Sequence, residues 1–277
     1  MRIVWQLLAV AAVAFAGQLC VAAVDGNPWL TLFFGGLTAV LAVVAYRWVV
    51  RKTEHRAVTE LAGSGARRAL GRGTLIGIAM FAAVIANIAL LGAYEIRGWG
   101  SVPGALGLVG FMAAAAVTEE LLFRGILFRI VENRLGTWLA LALSGLVFGL
   151  VHLFNEHASL WGAIAIAVEG GGLLTSAFIA TRKLWLPIGL HFGWNFAGAG
   201  IFGAVVSGKD ATEGLLTAAT SGPSIVTGGD FGPEGSLYSV LFCVLATSAF
   251  LWLAHRRGRL VPRRRAERAG DVTTLSR

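Results

Sequence analysis

Two adjacent glutamates, Glu119 and Glu120, lie inside the hydrophobic stretch AAAAVTEELLFRGILF. A carboxylate in hydrocarbon costs roughly 2.5 to 3.5 kcal/mol or more, so such residues are kept for a chemical or structural purpose. Glu120 and Arg124 are four residues apart with the acid first, which favours an ion pair on one helical face. Glu119 lies about 100° around the helix from Glu120. We therefore expect Glu120 to pair with Arg124 and Glu119 to remain a separate acid.

Two later hydrophobic stretches carry histidines at the same four-residue spacing. Phe148 and His152 share one helical face, and His191 and Asn195 share another. With about 1.5 Å of rise per residue counted from the connecting turn, Glu119 and His152 come level in an antiparallel helix pair. By the same measure His191 lies inside the bilayer, nearer one edge. The sequence predicts that Glu119, His152, His191 and Asn195 converge on one buried polar cavity.

These residue types suit the hydrolysis of an amide bond. A carboxylate beside an imidazole can hold a water and take its proton. Burial raises the pKa of the carboxylate towards the range useful for a general base. A second imidazole and an amide can donate hydrogen bonds to the oxyanion that forms when the water attacks a carbonyl. Two histidines and a carboxylate, here Glu119, His152 and His191, are also a common zinc ligand set. A metal-bound water is therefore an alternative.

The elements that position these residues must cross a membrane. The chain of 277 residues is 56% hydrophobic and 14% charged, with a mean hydropathy of +0.73, which argues against a water-soluble protein. We predict an all-α fold, a polytopic membrane bundle of about eight transmembrane helices with an intramembrane polar cavity. The fourth helix is expected to continue to about residue 134. The apolar windows lie at roughly 3–24, 28–50, 74–94, 104–124, 136–153, 159–181, 184–206 and 236–254.

The net charge of +8 would suggest a nucleic-acid partner in a soluble chain, but its distribution indicates a membrane topology. With both termini cytoplasmic, 21 of the 23 Lys and Arg residues fall on the cytoplasmic side, and only Arg97 and Lys209 fall outside. This positive-inside pattern predicts a multi-pass protein of the cell membrane. We expect the basic tail at 255–277 to anchor the topology or contact anionic lipid, and we expect no nucleic-acid partner.

No internal repeat or long polar stretch indicates a second domain. We expect a single transmembrane domain over residues 1–277, with a catalytic core at about 104–206. The segment 51–73 is predicted to be a polar connection, and 207–235 an irregular outer loop whose role stays open. Glu169 lies in the sixth window and either lines the same cavity or faces water at a helix end.

Three motifs carry a family resemblance. Glu119-Glu120-x-x-x-Arg124, Phe148-x-x-x-His152 and His191-x-x-x-Asn195 resemble, in order, the motifs of the CPBP family of intramembrane proteases. This family comprises the type II CAAX prenyl endopeptidases and the bacteriocin-processing Abi proteins. The resemblance implies an intramembrane endopeptidase that acts on a peptide or membrane-protein substrate in the lipid bilayer. It assigns Glu119 and His152 to water activation, His191 and Asn195 to the oxyanion, Glu120 and Arg124 to a structural ion pair, and Phe148 to the cavity wall.

The resemblance leaves the mechanism open. The family is commonly described as metallopeptidases, which implies zinc or another divalent metal on Glu119, His152 and His191. A metal-free glutamate mechanism is also argued for it, and we favour this because Asn195 suits an oxyanion donor and Glu119 suits a base. The segment from Thr227 to Gly235 also resembles bacterial members of the family.

Two other functions compete with hydrolysis. One is a non-catalytic membrane scaffold or bacteriocin-immunity protein on the same fold. The other is a proton-coupled transporter, which also uses buried acids and histidines. A transporter predicts internal repeats and interrupted helices in matching halves, and the sequence shows no such pattern.

Overall fold

The structure is a computed structural model that describes residues 2–24, 26–209 and 213–263. Its main helices form one packed bundle. They are α1 (Arg2–Ala23), α2 (Pro28–Glu54), α3 (Ala66–Leu90), α4 (Val102–Leu135), α5 (Thr137–Phe154), α6 (Leu160–Thr181), α7 (Trp185–Asn195) and α8 (Leu237–Arg256).

The prediction of an all-α polytopic bundle is confirmed. Within the described part of the chain, seven helices are long and apolar enough to cross a membrane, namely all of those above except α7. The predicted span at 184–206 is shorter than expected, because α7 has 11 residues and a π-helical extension, Phe196–Ile201, adds only 6. The fourth helix continues to Leu135, as predicted.

The segment at 51–73 is more helical than predicted. Helix α2 runs on to Glu54 and α3 begins at Ala66, so only the residues between them form the connection. The polar residues Arg51 and Lys52 lie in the last turn of α2, where cations interact favourably with the helix dipole. Polarity therefore marks the membrane boundary here and not the end of the helix.

Helices α3 and α7 run parallel with their backbones in direct contact. Gly73 and Gly77 of α3 face the backbone of α7, while Gly189 and Gly193 of α7 face the backbone of α3. A side chain at any of these four positions would collide with the opposite backbone. Small residues four apart allow this close approach in membranes. The contact sets the position of His191, which lies between the two α7 glycines in sequence.

A two-stranded antiparallel sheet closes one end of the bundle, a feature that the sequence reasoning missed. Strand β1 (Tyr94–Trp99) pairs with β2 (Leu216–Thr220), and the register is irregular between Ile96 and Gly98. The loop predicted to be irregular thus contains a strand and a short helix, Ser224–Thr227. Because β1 precedes α4 and β2 follows α7, the sheet joins the ends of two motif-bearing helices. We call this the sheet end.

The opposite end, which we call the charged end, is built from ion pairs. Arg129 binds Glu54 at 2.8 Å, and Arg56 binds Glu60 at 2.7 Å. The Tyr46 hydroxyl donates to Glu60 at 2.6 Å. These contacts join α2, the connection after it and α4. They give each of the two acids a cationic partner.

The predicted basic tail begins at this same end. Helix α8 reaches Arg256, and Arg257 donates to the carbonyl oxygen of Ala180 at 2.9 Å. The rest of the predicted tail, residues 264–277, lies outside the described residues. The described part therefore packs on the end of α6.

Candidate active site

The two adjacent acids lie halfway along α4, where the helix changes its hydrogen-bonding pattern. The α-helical part ends at Glu120, and a π-helical segment, Leu121–Phe128, follows. Such segments are rare and occur often at functional sites. The Glu120 side chain is fully buried, whereas that of Glu119 is 29% exposed. The two neighbours therefore have separate environments, as their helical spacing predicted.

Glu120 binds two partners, of which the sequence revealed one. Its Oε1 accepts a hydrogen bond from Arg124 Nη1 at 2.8 Å and lies 3.1 Å from His191 Nδ1. A carboxylate paired with arginine can only accept, so Nδ1 of His191 carries the hydrogen. The expectation that Glu120 serves Arg124 alone was incomplete. The close packing of α7 on α3 brings the imidazole to the same carboxylate.

Arg124 joins three helices from within the bundle. Its side chain is 1% exposed. Its Nη2 donates to the carbonyl oxygen of Gly170, and its Nε donates to Thr175 Oγ1 at 3.1 Å, both on α6. Its guanidinium carbon lies 4.6 Å from the centre of the Phe148 ring on α5. The side chain therefore fixes α4 against both α5 and α6.

His152 lies at the end of α5 with one ring nitrogen already engaged. Its Nδ1 is 2.7 Å from the carbonyl oxygen of Phe148, which can only accept, so Nδ1 carries the hydrogen. Its Nε2 is left as an acceptor. The centre of the Phe148 ring is 4.7 Å from that of His152 and 6.4 Å from that of His191. Phe148 thus forms a wall beside both imidazoles.

One cavity brings the four predicted catalytic residues together. It has a volume of about 810 Å³, and we call it the active-site cavity. Glu119 Oε2 lies 3.8 Å from His191 Nε2, so His191 and not His152 is the imidazole that approaches Glu119 as an ion pair. The cavity reaches Ser207 near the sheet end. Its lining includes Glu119, His152, His191 and Asn195 together with the apolar residues Phe111, Met112, Leu122, Phe123 and Val151.

A smaller cavity, which we call the inner cavity, continues behind the two histidines. It has a volume of about 30 Å³ and is lined in part by Glu169. Glu169 is 4% exposed; its Oε1 accepts from the Ser239 hydroxyl, and its Oε2 has no hydrogen-bond partner among the described residues. Glu169 therefore lines the inner cavity and not the active-site cavity that the first of the two readings named. It does not face water at a helix end.

Glu234 also lines the inner cavity, and the sequence reasoning missed it. Its Oε1 accepts from Trp194 Nε1 at 2.7 Å, and its Oε2 accepts from the Ser207 hydroxyl at 3.0 Å and from the Ser207 backbone N–H. Burial raises the pKa of the Glu234 carboxyl above its ordinary value. The one sequence signal was its place in the glycine-rich segment 227–235.

The residues proposed as zinc ligands do not form a preformed metal site. Within the described ranges, no three His, Cys, Asp or Glu side chains are arranged to hold one ion. Glu119, His152 and His191 line the same cavity but do not form such a group. The side-chain positions therefore do not fit the ligand set that the resemblance implies, and the steps proposed below use the protein's own acids and bases.

Comparison with known proteins bears on this site. Residues 100–197 match the family described as Type II CAAX prenyl endopeptidase Rce1-like. A bacterial relative is similar to the chain as well, and both similarities are to membrane proteases of the CPBP type. That relative is the Bacillus subtilis (strain 168) protein named Putative membrane peptidase YdiL, 23% identical over 176 residues, which are 58% of this chain and 69% of that protein. No solved structure matches the chain.

The matched residues contain all three motifs, on α4, α5 and α7. The family match and the apolar helices together support a multi-pass membrane protein with the general activity of a protease.

Proposed function

We propose that this protein is an intramembrane endopeptidase that uses a water activated by Glu119. One observation carries the proposal: four polar side chains from three helices line a single cavity. Its other lining residues are apolar except for Gln18, Asn155, Glu156, Ser207 and Lys209. In a bundle of this composition, each of the four side chains is costly to bury. Hydrolysis of an amide requires these side chains to converge, whereas helix packing alone does not require it.

Glu119 is proposed to be the general base. Its side chain lines the active-site cavity and is partly exposed, and its buried Oε2 has no hydrogen-bond partner among the described residues. His152 presents Nε2 as a second acceptor, since its Nδ1 donates to the Phe148 carbonyl. A water between these two acceptors can give one proton to Glu119 while His152 orients it. This retains the pair of residues that the resemblance assigns to water activation.

His191 and Asn195 are proposed to stabilise the oxyanion. They lie one helical turn apart on α7, and both line the active-site cavity. Glu120 holds the His191 ring by its Nδ1, which leaves Nε2 directed towards the cavity and Glu119. In this role Nε2 also carries a hydrogen, and it donates together with the Asn195 amide. Donors that are fixed before the reaction begins stabilise the developing charge most effectively.

The reaction balances with one water. The water oxygen bonds to the carbonyl carbon and Glu119 takes a proton, which gives a tetrahedral oxyanion. As the C–N bond breaks, that proton passes to the leaving nitrogen, so an amine and a carboxylic acid are the products. The base is regenerated without an added oxidant, reductant or co-substrate.

The shape of the cavity supports a substrate that enters from the side. A second hollow of about 300 Å³ adjoins it between α1 and α4 and shares Glu119, Phe111 and Leu122 with the active-site cavity. The α1 wall of this hollow includes Phe15 and Val21. Apolar walls that lead to a carboxylate suit an extended segment of a peptide or a membrane protein. We propose this class of substrate.

The decisive experiment compares wild type with Glu119→Gln on a library of membrane peptides in detergent or vesicles. Gln keeps the shape but cannot take a proton, so cleavage should fall about 10²- to 10⁴-fold. Glu95→Gln, a change of the same type on β1, is the control and should cleave normally. Undiminished cleavage by Glu119→Gln would refute the assignment. A cellular effect that survives in Glu119→Gln would favour a scaffold or immunity protein.

Metal dependence is tested on the same preparation. We propose the metal-free glutamate mechanism, so cleavage should survive exhaustive chelation and purified protein should carry zinc well below one ion per chain. Activity lost on chelation and restored by zinc would establish the metallopeptidase instead. His152→Ala and His191→Ala would then both lower the zinc content.

We also propose that the protein lies in the cell membrane with both termini cytoplasmic. The support is the concentration of Lys and Arg at the charged end, which matches the positive-inside pattern. A fluorescent protein fused after residue 277 should be fluorescent, and a periplasmic phosphatase fused there should be inactive. The reverse result would invert the orientation.

A further inference from the structure

Glu234 is a buried acid that has no Lys or Arg partner among the described residues. It is 1% exposed, and its hydrogen-bond donors are all neutral: the Trp194 indole, and the backbone N–H and hydroxyl of Ser207. Burying a charge or an acid among neutral groups is costly. We therefore expect the burial of Glu234 to serve a purpose, namely to hold Trp194 and Ser207 in place.

The first residue that Glu234 holds adjoins the proposed oxyanion site. Trp194 directly precedes Asn195 on α7, at the point where the α-helix ends and the π-helical turn Phe196–Ile201 begins. The indole also forms a T-shaped contact with Phe81 of α3, with ring centres 5.1 Å apart. The hydrogen bond to Glu234 therefore fixes the rotation of α7 where it carries Asn195.

The second residue adjoins the proposed water site. The carbonyl oxygen of Ser207 accepts from Asn155 Nδ2 at 2.6 Å, three residues after His152. Ser207 has φ of 54°, a left-handed conformation that is uncommon outside glycine. Ser207 also lines both cavities. Its bonds to Glu234 hold a strained residue in place beside His152.

The segment that carries Glu234 is itself fastened to the bundle. Trp161 Nε1 on α6 donates to the carbonyl oxygen of Gly235 at 2.8 Å. Next to it, Ser236 caps α8 by accepting from the backbone N–H of Ser239. The carboxylate therefore projects from a fixed point, and it can serve as a rigid link between the ends of α5 and α7.

From these contacts we infer that Glu234 is a positioning residue of the active site, holding Asn195 through Trp194 and the end of α5 through Ser207. The inference rests on the proposed peptidase function. Glu234 acts on the reaction only through these two neighbours. Its loss should lower kcat, because a misplacement of about 1 Å at a catalytic group costs up to about 10²-fold, and it should leave KM nearly unchanged.

The test measures kcat and KM for Glu234→Ala, Glu234→Gln and Trp194→Phe with a peptide that wild type cleaves. We expect a fall in kcat of about 10²-fold for Glu234→Ala. Glu234→Gln should recover part of it, since its amide oxygen can accept from Trp194 but its NH₂ cannot accept from Ser207. Trp194→Phe keeps an aromatic side chain but removes the indole N–H donor, so it should lower kcat by a smaller factor.

Two control variants sharpen the test. Glu213→Gln changes an exposed acid of the same loop and should cleave normally. Glu169→Gln changes the other buried acid of the inner cavity, which binds Ser239 and neither Trp194 nor Ser207. It should lose less activity than Glu234→Ala. An equal loss would attribute the effect to the polarity of the cavity and would overturn the positioning role.

Hydrogen exchange provides a readout that does not depend on folding yield or substrate. Glu234→Ala should raise exchange in peptides covering 191–195 and 205–209 while the rest of α7 stays protected. Unchanged exchange there, or an unchanged kcat in folded Glu234→Ala, would overturn the inference. If Glu234→Ala does not fold, Trp194→Phe decides by the same two measurements.

The outcome for Glu119→Gln separates the two proposals. If Glu119→Gln cleaves normally, the proposed function itself fails. If it is inactive while folded Glu234→Ala keeps wild-type kcat and exchange, the peptidase stands and only the positioning role fails.

Discussion

The charged end and the two cavities use buried acids in opposite ways. At the charged end, Glu54 and Glu60 share Arg56 and Arg129 as cationic partners. In the inner cavity, the hydrogen-bond partners of Glu169 and Glu234 among the described residues are all neutral. The difference indicates that charge pairing holds helices together at one end, while acids near the other end are kept for water and for positioning.

Glu120 belongs to both groups and so defines the boundary between them. It has a cationic partner in Arg124, like the acids of the charged end. It also contacts His191, which lines the active-site cavity. A change at Glu120 should therefore affect stability and cleavage together, while a change at the charged end should affect stability alone.

The largest stability effect is expected from Glu120→Gln. It leaves the guanidinium of Arg124 buried without a charge partner, which costs about 3 to 5 kcal/mol. Chemical unfolding in mixed micelles measures the loss. The double variant Glu120→Leu with Arg124→Met removes both charges and should recover much of the stability, although not the cleavage. A double variant as unstable as the sum of its single changes would contradict the pairing argument.

Arg129→Ala is expected to lower stability by a smaller amount. It removes one of two cations from Glu54, and a buried acceptor that loses its partner costs about 1 to 3 kcal/mol. Cleavage per folded molecule should not change, because Arg129 lies at the charged end. The matched control is Arg51→Ala, an exposed arginine of α2, which should be within about 0.5 kcal/mol of wild type. A loss of kcat in folded Arg129→Ala would contradict the view that the charged end affects stability and not cleavage.

Tyr46→Phe tests one hydrogen bond of the charged end. The hydroxyl lies 2.6 Å from Glu60 Oε1 and 2.9 Å from the carbonyl oxygen of Gly125. Its removal should cost about 0.5 to 1.5 kcal/mol and lower the melting temperature slightly. Tyr238→Phe removes a hydroxyl that has no hydrogen-bond partner in the described ranges and should leave the melting temperature unchanged. Equal effects of the two changes would count against the network.

The smallest effects are expected in the pH dependence, and they should have opposite signs. Burial alone would raise the pKa of Glu60, but hydrogen bonds from Arg56 and Tyr46 lower it below its ordinary value. Its stabilisation is present above the ordinary glutamate pKa of about 4.3 and is lost as pH falls through the lowered folded value.

Glu234 should behave in the reverse sense. Burial raises its pKa, so the folded protein loses stability as pH rises through the raised folded value. Melting curves against pH should therefore flatten on the acid side in Glu60→Gln and on the more alkaline side in Glu234→Gln. The same direction of change in both variants would show that their environments do not differ as described.

Local patterns predicted most of the bundle and the membership of the cavity. Hydropathy located the spans because a membrane helix must be apolar over its whole length. The four-residue spacing of Glu120 and Arg124 predicted their contact because it depends on one helix only. Rise per residue predicted that Glu119 and His152 come level. Both line the active-site cavity, although His191 is the imidazole that lies 3.8 Å from Glu119.

The misses at the site and at the sheet end depend on contacts between distant parts of the chain. The bond from His191 to Glu120 requires the close packing of α3 on α7. The pairing of β1 with β2 joins short segments that carry no strong strand pattern of their own. The burial of Glu234 requires a long loop to fold back onto α7. None of these can be read from a local window.

The sheet at the end of the bundle also sets an order of assembly. Strand β1 ends at Trp99 and its partner begins at Leu216, so one strand is made well before the other. At about 5 to 20 residues per second, β1 waits roughly 6 to 23 seconds on the ribosome for its partner. Glu234 is made later still. A chain synthesised only to the end of α7 therefore carries all three motifs without the paired strands of the sheet end. The completed site is among the last features of the molecule to form.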